Sequence, residues 1–325
     1  MLGRRAALIG IATALFGVIT GPLLLGCLTV AVAPAAQGTT PGENGKIVFA
    51  ADLGQGFQLF TIKPNGDGLH QLTNVDREAS RPDWSPDGNR LAFELFQLSN
   101  GEHAGVAIMN ADGSDMVDLT PTGINAEPAW TPDGQQLVYE CPTCVGGDGI
   151  FVINEDGTGP RRLTTNPFPD GFDTDPNVSP DGQTVTFVRV RKDGREQALF
   201  AVDLDGGNER KLTSFGLEVG AKHDWAPDGR HIVITRDADY PHGRSPNVAT
   251  IRPNGSQLRM LTTYEDEKRG AFSGSYSPDG RWIVFRVENL DDQTFRLLKM
   301  RPDGTHRTLI ATLPFAPRNM DWGSK

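Results

Sequence analysis

The chain has 325 residues, 8% of them aromatic, and a formal net charge of −10. That length fits two ordinary domains or one large all-β domain. The acidic balance, with no Lys/Arg run, speaks against nucleic acid as a partner, because phosphate binding needs a clustered basic surface.

The first 36 residues differ from the rest. Arg4 and Arg5 precede the uncharged stretch AALIGIATALFGVITGPLLLG, an n-region and an h-region that are set aside from the fold. Three endings fit this segment. Leu24-Leu25-Gly26-Cys27 resembles a bacterial lipobox, with Cys27 as the lipidation candidate, although apolar sequence continues past it. Ala33-Pro34-Ala35 offers a cleavage site. The run from Ala6 to Ala36 is also long enough to span a bilayer uncut. All three put the remainder outside the cytoplasm, with membrane contact only through the N-terminal segment. QGTTPGEN, residues 37–44, reads as a short tether, and residues 45–325 as the folded part.

From there on one unit recurs. A turn follows an anchor residue in Trp84-Ser-Pro-Asp-Gly88, Trp130-Thr-Pro-Asp-Gly134, Val178-Ser-Pro-Asp-Gly182, Trp225-Ala-Pro-Asp-Gly229 and Tyr276-Ser-Pro-Asp-Gly280. Pro sets φ at the second turn position, Asp bonds local backbone, and Gly takes the left-handed conformation that re-enters a strand. Alternating apolar strands come next: RLAFE (90–94), QLVYE (136–140), TVTFV (184–188), HIVIT (231–235) and RWIVF (281–285). Each unit then carries a second strand and turn, whose glycines fall at 66, 113, 157, 206, 255 and 304. A short polar strand ends it in Leu-Thr at Leu72, Leu119, Leu163, Leu212 and Leu261, and the sixth copy is read as Leu309-Ile310.

Six second turns against five complete anchor turns define the ends. The ordered region opens on PGENGKIVFA, the tail of an anchor turn with its strand, and closes on RNMDWG, an anchor strand cut off after Trp322. The last residues therefore supply the missing strand of the first unit. The fold expected is all-β: a six-bladed propeller of four-stranded blades, closed by its C-terminal strand. The anchors are read as mortar between blades, since the repeats share turn chemistry and not reactive groups.

Cys141-Pro-Thr-Cys144 follows one of these strands and precedes a Gly-rich loop. A local disulfide is preferred over free thiols, redox chemistry or zinc, because no His or second cysteine pair stands nearby in sequence.

The repeats resemble the WD-like Pro-Asp family found in the TolB propeller and in many secreted bacterial proteins. The resemblance covers roughly residues 41–325 and rests on the five anchor turns quoted above. It implies a propeller fold, and it implies little about function, because one fold hosts many. Some relatives are polysaccharide lyases with a His-rich metal site, and this chain shows no evident match to that site.

No G-x-S-x-G, H-E-x-x-H, P-loop or dinucleotide fingerprint occurs. Asp203-Leu-Asp205-Gly206 reads as a turn, since Ser214 stands where an EF-hand needs Glu. The six histidines are scattered, and no cofactor is expected. Three residues before the anchors stand Arg81, Glu127, Asp175, Lys222, Ser273 and Asn319. They differ from blade to blade and are expected near a channel mouth. They form the candidate binding site, with His223 and its neighbour Asp224 as a hydrogen-bonded pair. The bland alternative is a ring of charges that neutralise one another. The loops 101–105, 141–149 and 237–247 offer a second binding face. The reading favoured is a monomeric, envelope-tethered module that docks a protein or peptide. The alternative is a carbohydrate-active enzyme using Glu127 and Asp175 as acid and base.

Overall fold

The computed structural model describes residues 42–325 apart from 97–102, 145–146, 169–170, 192–195, 221, 237–244, 266–267 and 290. Cys27 and the readings of residues 1–36 lie outside the described residues, as do His242 and most of the 237–247 loop.

The first blade contains β1 (Asn44–Asp52), β2 (Phe57–Ile62) and β3 (His70–Gln71). Blade 2 contains β4 (Glu78–Trp84), β5 (Arg90–Phe96), β6 (Ala104–Asn110) and β7 (Val117–Asp118). Blade 3 has β8 (Ala126–Trp130), β9 (Gln136–Glu140), β10 (Ile150–Asn154) and β11 (Arg161–Arg162). Blade 4 has β12 (Phe172–Val178), β13 (Thr184–Arg191), β14 (Glu196–Asp203) and β15 (Arg210–Lys211). Blade 5 has β16 (Asp224–Trp225), β17 (Ile232–Arg236), β18 (Asn247–Ile251) and β19 (Arg259–Met260). Blade 6 has β20 (Arg269–Tyr276), β21 (Ile283–Asn289), β22 (Thr294–Met300) and β23 (Thr308–Leu313). The final strand, β24 (Arg318–Ser324), returns to blade 1. Six four-stranded antiparallel sheets result, and the first has the order β24-β1-β2-β3. Ile47 pairs with Trp322 and Val48 with Asp321. The ring closes as the repeat arithmetic requires.

The anchor turns form as their residues dictate. Gly88, Gly134, Gly182, Gly229 and Gly280 all lie at φ between 67° and 70°, a region costly for a residue with a Cβ. The Ser or Thr hydroxyl donates to the turn Asp at 2.6 Å in four of the five. In each of the five, that Asp also accepts the N–H two residues on, at 2.9–3.1 Å. The fourth turn has Ala226 in the hydroxyl position and lacks the first bond.

Every anchor is buried, from Val178 at 1% exposure to Trp84 at 8%. Each packs between blades. Six apolar clusters alternate around the ring, and each takes its residues from two neighbouring blades. Trp84 shares a cluster with Val48, Trp130 with Ala92, Val178 with Val138, Tyr276 with Val233 and Trp322 with Val284. In each case the partner sits on the second strand of the preceding blade. A buried tryptophan removes roughly 150–250 Å² from water, so the anchors join six thin sheets into one core.

The sixth Leu-Thr copy differs from the expectation. In the first five blades the leucine six residues after the turn glycine bonds its N–H to the third strand, as Leu72 does to Leu59 O at 2.7 Å. The threonine hydroxyl then accepts a third-strand N–H at 2.8–3.0 Å. In blade 6 that register holds Ile310-Ala311, one residue later than read from sequence. Leu309 is instead exposed. The apolar Leu309-Ile310 pair imitated the motif, while spacing from Gly304 selects Ile310.

Candidate functional site

Arg81, Glu127, Asp175, Lys222 and Asn319 line one small cavity. Ser273 does not join them. Its hydroxyl donates to Lys222 O at 2.8 Å and meets Thr235 Oγ1 at 2.9 Å.

The backbone aims these side chains. A β-bulge interrupts the inner strand between Ser80 and Asp83, Ala126 and Ala129, Thr174 and Asn177, and in β24 between Arg318 and Asp321. Arg81, Glu127, Asp175 and Asn319 take φ of 51°, 53°, 50° and 49°, and Lys222 takes 72°. A left-handed non-glycine costs about 1–3 kcal/mol and persists only where its surroundings enforce it. Pro82, Pro128 and Pro176 follow three of them, at bulges where a missing N–H breaks no ladder bond.

Bonds from blade to blade supply that enforcement. Glu127 Oε2 accepts the Asp175 N–H and the Thr174 hydroxyl. Asp175 Oδ2 accepts the Lys222 N–H at 2.5 Å and the His223 N–H at 3.2 Å. One layer down, Asp83 accepts the Trp130 N–H at 2.8 Å and Asp224 the Tyr276 N–H at 2.7 Å. Ser275 accepts the Trp322 N–H at 2.7 Å, and Asp321 closes the circle on the Trp84 N–H at 2.9 Å. His223 is not paired with Asp224 as expected. Its Nδ1 lies 3.1 Å from Asp175 Oδ2 and its Nε2 lies 2.8 Å from Thr186 Oγ1. Both partners belong to the preceding blade, so the imidazole lies away from its sequence neighbour.

The charges interlock as well. Arg81 pairs with Glu127, and its Nε lies 3.2 Å from Glu94 Oε2. Lys222 crosses from blade 5 to the far side, placing Nζ 3.9 Å from Asp83 Oδ1 and 3.7 Å from Asp321 Oδ1. Burial opposes the Lys222 charge, but Asp321 and Asp83 outweigh it and hold the ammonium above the usual lysine range. Burial, then the neighbouring Asp321, pushes Asp83 well up, with Lys222 pulling the other way. Asp175 is held below the usual range despite burial, because His223 and Lys222 stabilise its charge. Burial raises Glu94 against the opposing pull of Arg81.

Thr174 links two carboxyls. Its hydroxyl touches Glu127 Oε2 and also Glu140 Oε2, the latter at 2.6 Å. Burial, followed by the charge of Glu127, pushes Glu140 well above the ordinary glutamate range, with the Thr174 hydroxyl and Arg81 pulling the other way.

Little space remains. The mouth cavity holds about 20 Å³, room for about one water. The cavity beneath, lined by Asp83, Asp224, Asp321 and the rings of Trp84, Trp130 and Trp322, holds about 50 Å³. Among the described residues no three His, Cys, Asp or Glu side chains are grouped to hold a metal. Cys141 and Cys144 form the expected disulfide, with Cα atoms 5.5 Å apart. In the same loop Asp148 accepts the Asp173 N–H at 2.8 Å, and burial raises its carboxyl to about 6.

Glu94, Glu140, Asp83 and Asp321 belong to the site, and sequence reasoning passed over them. Two signals were available. Glu94 and Glu140 each stand ten residues after the anchor of their blade, on equivalent strands, and Asp-Trp recurs at 83–84, 224–225 and 321–322.

A family profile described as the TolB beta propeller domain matches residues 121–325. The chain belongs to this family. A TolB homolog of Chlorobium luteolum is 30% identical to this TolB-family propeller over 218 residues, which is 66% of this chain and 46% of that protein. The Tol-Pal system protein TolB of Bordetella pertussis is 27% identical over 286 residues, 86% of this chain and 59% of that protein. The chain thus spans about half the length of these curated relatives. TolB from Acinetobacter baumannii shares the fold with a TM-score of 0.69 at 19% identity, covering 86% of this chain and 67% of that one. An oligogalacturonate lyase in complex with manganese shares it at 0.52 and 14%, covering 84% and 75%.

Proposed function

We propose that this TolB-like propeller is an extracytoplasmic docking module of the cell envelope, whose protein or peptide partner settles on the face carrying the mouth ring. The observation that carries this reading is the plugged mouth. Arg81, Glu127, Asp175 and Lys222 close the channel with their own side chains and leave room for about one water. A partner therefore meets a surface and not a pocket. The N-terminal segment and the Tol-Pal relatives point the same way. The enzyme alternative needs Glu127 and Asp175 free to face a sugar, and both are buried and bonded to the next blade. That bonding also revises the role of Glu127. Its removal takes from Arg81 one of its two carboxylate partners, leaving Glu94, and takes from the Asp175 N–H its acceptor, so the variant is expected to lose stability as well as surface charge.

Photocrosslinking in cells tests the proposal without disturbing the buried network. A crosslinking amino acid at Leu53, an exposed residue of the β1–β2 loop, is compared with one at Asn254 in a turn on the opposite face. A discrete protein captured from position 53 and not from position 254 is expected. Capture only from 254, or none from either in folded protein, refutes docking on the mouth face.

A further inference from the structure

Blade 6 breaks the symmetry of the ring at its outer edge. The outer strands β3, β7, β11, β15 and β19 are two residues long, whereas β23 has six. The cause is one residue type. In five blades a threonine hydroxyl takes the third-strand N–H and ends the ladder. Ala311 has no hydroxyl. Ile310 bulges, and the ladder resumes with Ala311 opposite Leu297, Thr312 opposite Arg296 and Leu313 opposite Phe295. Where the threonines stand, their N–H groups face the third strand, as in Thr262 N to Val248 O at 3.1 Å. Ala311 occupies that register, so by alternation Thr312 turns its N–H and C=O outward.

The edge is apolar and its surroundings are basic. Thr308-Leu-Ile-Ala-Thr-Leu313 carries no charge, and Leu309 is 53% exposed. Residues 294–313 hold Arg296, Lys299, Arg301 and Arg307 against Asp303 alone, in a chain of net charge −10. Three of these cations have neutral partners. Lys299 donates to Pro64 O at 2.9 Å, Arg307 to Leu261 O at 2.5 Å, and Arg301 stacks on Trp282 at 4.4 Å. Among the described residues none of the three pairs with a carboxylate.

We propose that the outer edge of blade 6 accepts an extended acidic segment of a partner protein as a fifth strand. Main-chain bonds to Thr312 align it, an apolar side chain covers Leu309, and carboxylates meet Arg296 and Lys299. A second copy of this chain fits less well, because it brings the same cations against these.

Hydrogen–deuterium exchange on the whole chain tests this, with a ten-residue peptide alternating Glu and Val as the probe and a Lys–Val peptide as the control. Slower exchange in residues 308–313 is expected with the acidic peptide only. Thr312→Pro removes the outward N–H while sparing the ladder to β22, and Ala311→Thr restores the hydroxyl stop. Each is expected to cut the protection at least tenfold. Absence of protection in the wild type, or protection that survives both substitutions, overturns the proposal. Protection that rises with protein concentration and needs no peptide overturns it too, by assigning the edge to a second copy. The edge is separate from the mouth, so this test and the crosslinking test fail independently.

Discussion

At the scale of single residues, the buried polar groups explain themselves by what stands opposite. The Trp225 indole donates to Thr186 Oγ1 at 2.9 Å. The indole N–H groups of Trp84, Trp130 and Trp322 have no partner among the described residues, because their clusters offer Val48, Ala92 and Val284 instead. The Glu140 carboxyl carries a pH signature. Its folded-state pKa is raised by burial and by Glu127, so between the ordinary glutamate value and the raised one the folded state holds a proton that the unfolded state has released. Stability therefore falls as pH rises through that window. Glu140→Gln removes this loss. The variant is expected to melt higher than wild type at neutral pH and equally near pH 4, as paired thermal melts across that range would show. An equal difference at both pH values would place the proton elsewhere.

At the scale of the element, the anchor turn is a self-contained device. Ser85 Oγ donates to Asp87 and accepts the Arg90 N–H at 2.9 Å, joining both sides of the turn. Ala226 omits this, and its neighbours are those of the other turns. Ala226→Ser is expected to raise stability by about 1 kcal/mol, the usual net worth of one such bond, measured by urea denaturation. A loss would mean that the apolar cluster around Ala226 resents the hydroxyl more than the turn gains. The turns were fully legible in sequence because their chemistry is local. Three residues carry the Pro, Asp and Gly preferences, whatever surrounds them. The register of the sixth outer strand was less legible, since Leu309-Ile310 and Ile310-Ala311 are both apolar and only the bulge in β23 separates them.

At the scale of the molecule, closure is the decisive step. β24 supplies the inner strand of blade 1, the Trp322 wedge, and Asp321, which bonds both Trp84 N–H and Lys222. Gly323 lets the strand pass. A Cβ there would stand 2.5 Å from the Trp84 ring. Removing residues 318–325 is expected to abolish cooperative unfolding, because it opens the ring on two blades at once, while Trp322→Ala alone costs about 3–5 kcal/mol. A truncated chain with a sharp, wild-type-like melt would show that the blades stand without closure.

The amino-acid sequence by itself determined the blade count, the strand order, the mortar role of the anchors and the way the ends meet. These follow from turn preferences and alternation repeated at fixed spacing, and repetition makes a local signal unambiguous. The sequence also placed Arg81, Glu127, Asp175, Lys222 and Asn319 on one ring. Only the tertiary structure decided what that ring does with its charges. Lys222 meets Asp83 and Asp321 from across the channel, and Glu140 shares Thr174 with Glu127, through contacts between residues 34 to 139 positions apart in the chain. Such pairings depend on bulges, burial and the curvature of six sheets, and none of these is written at any one position.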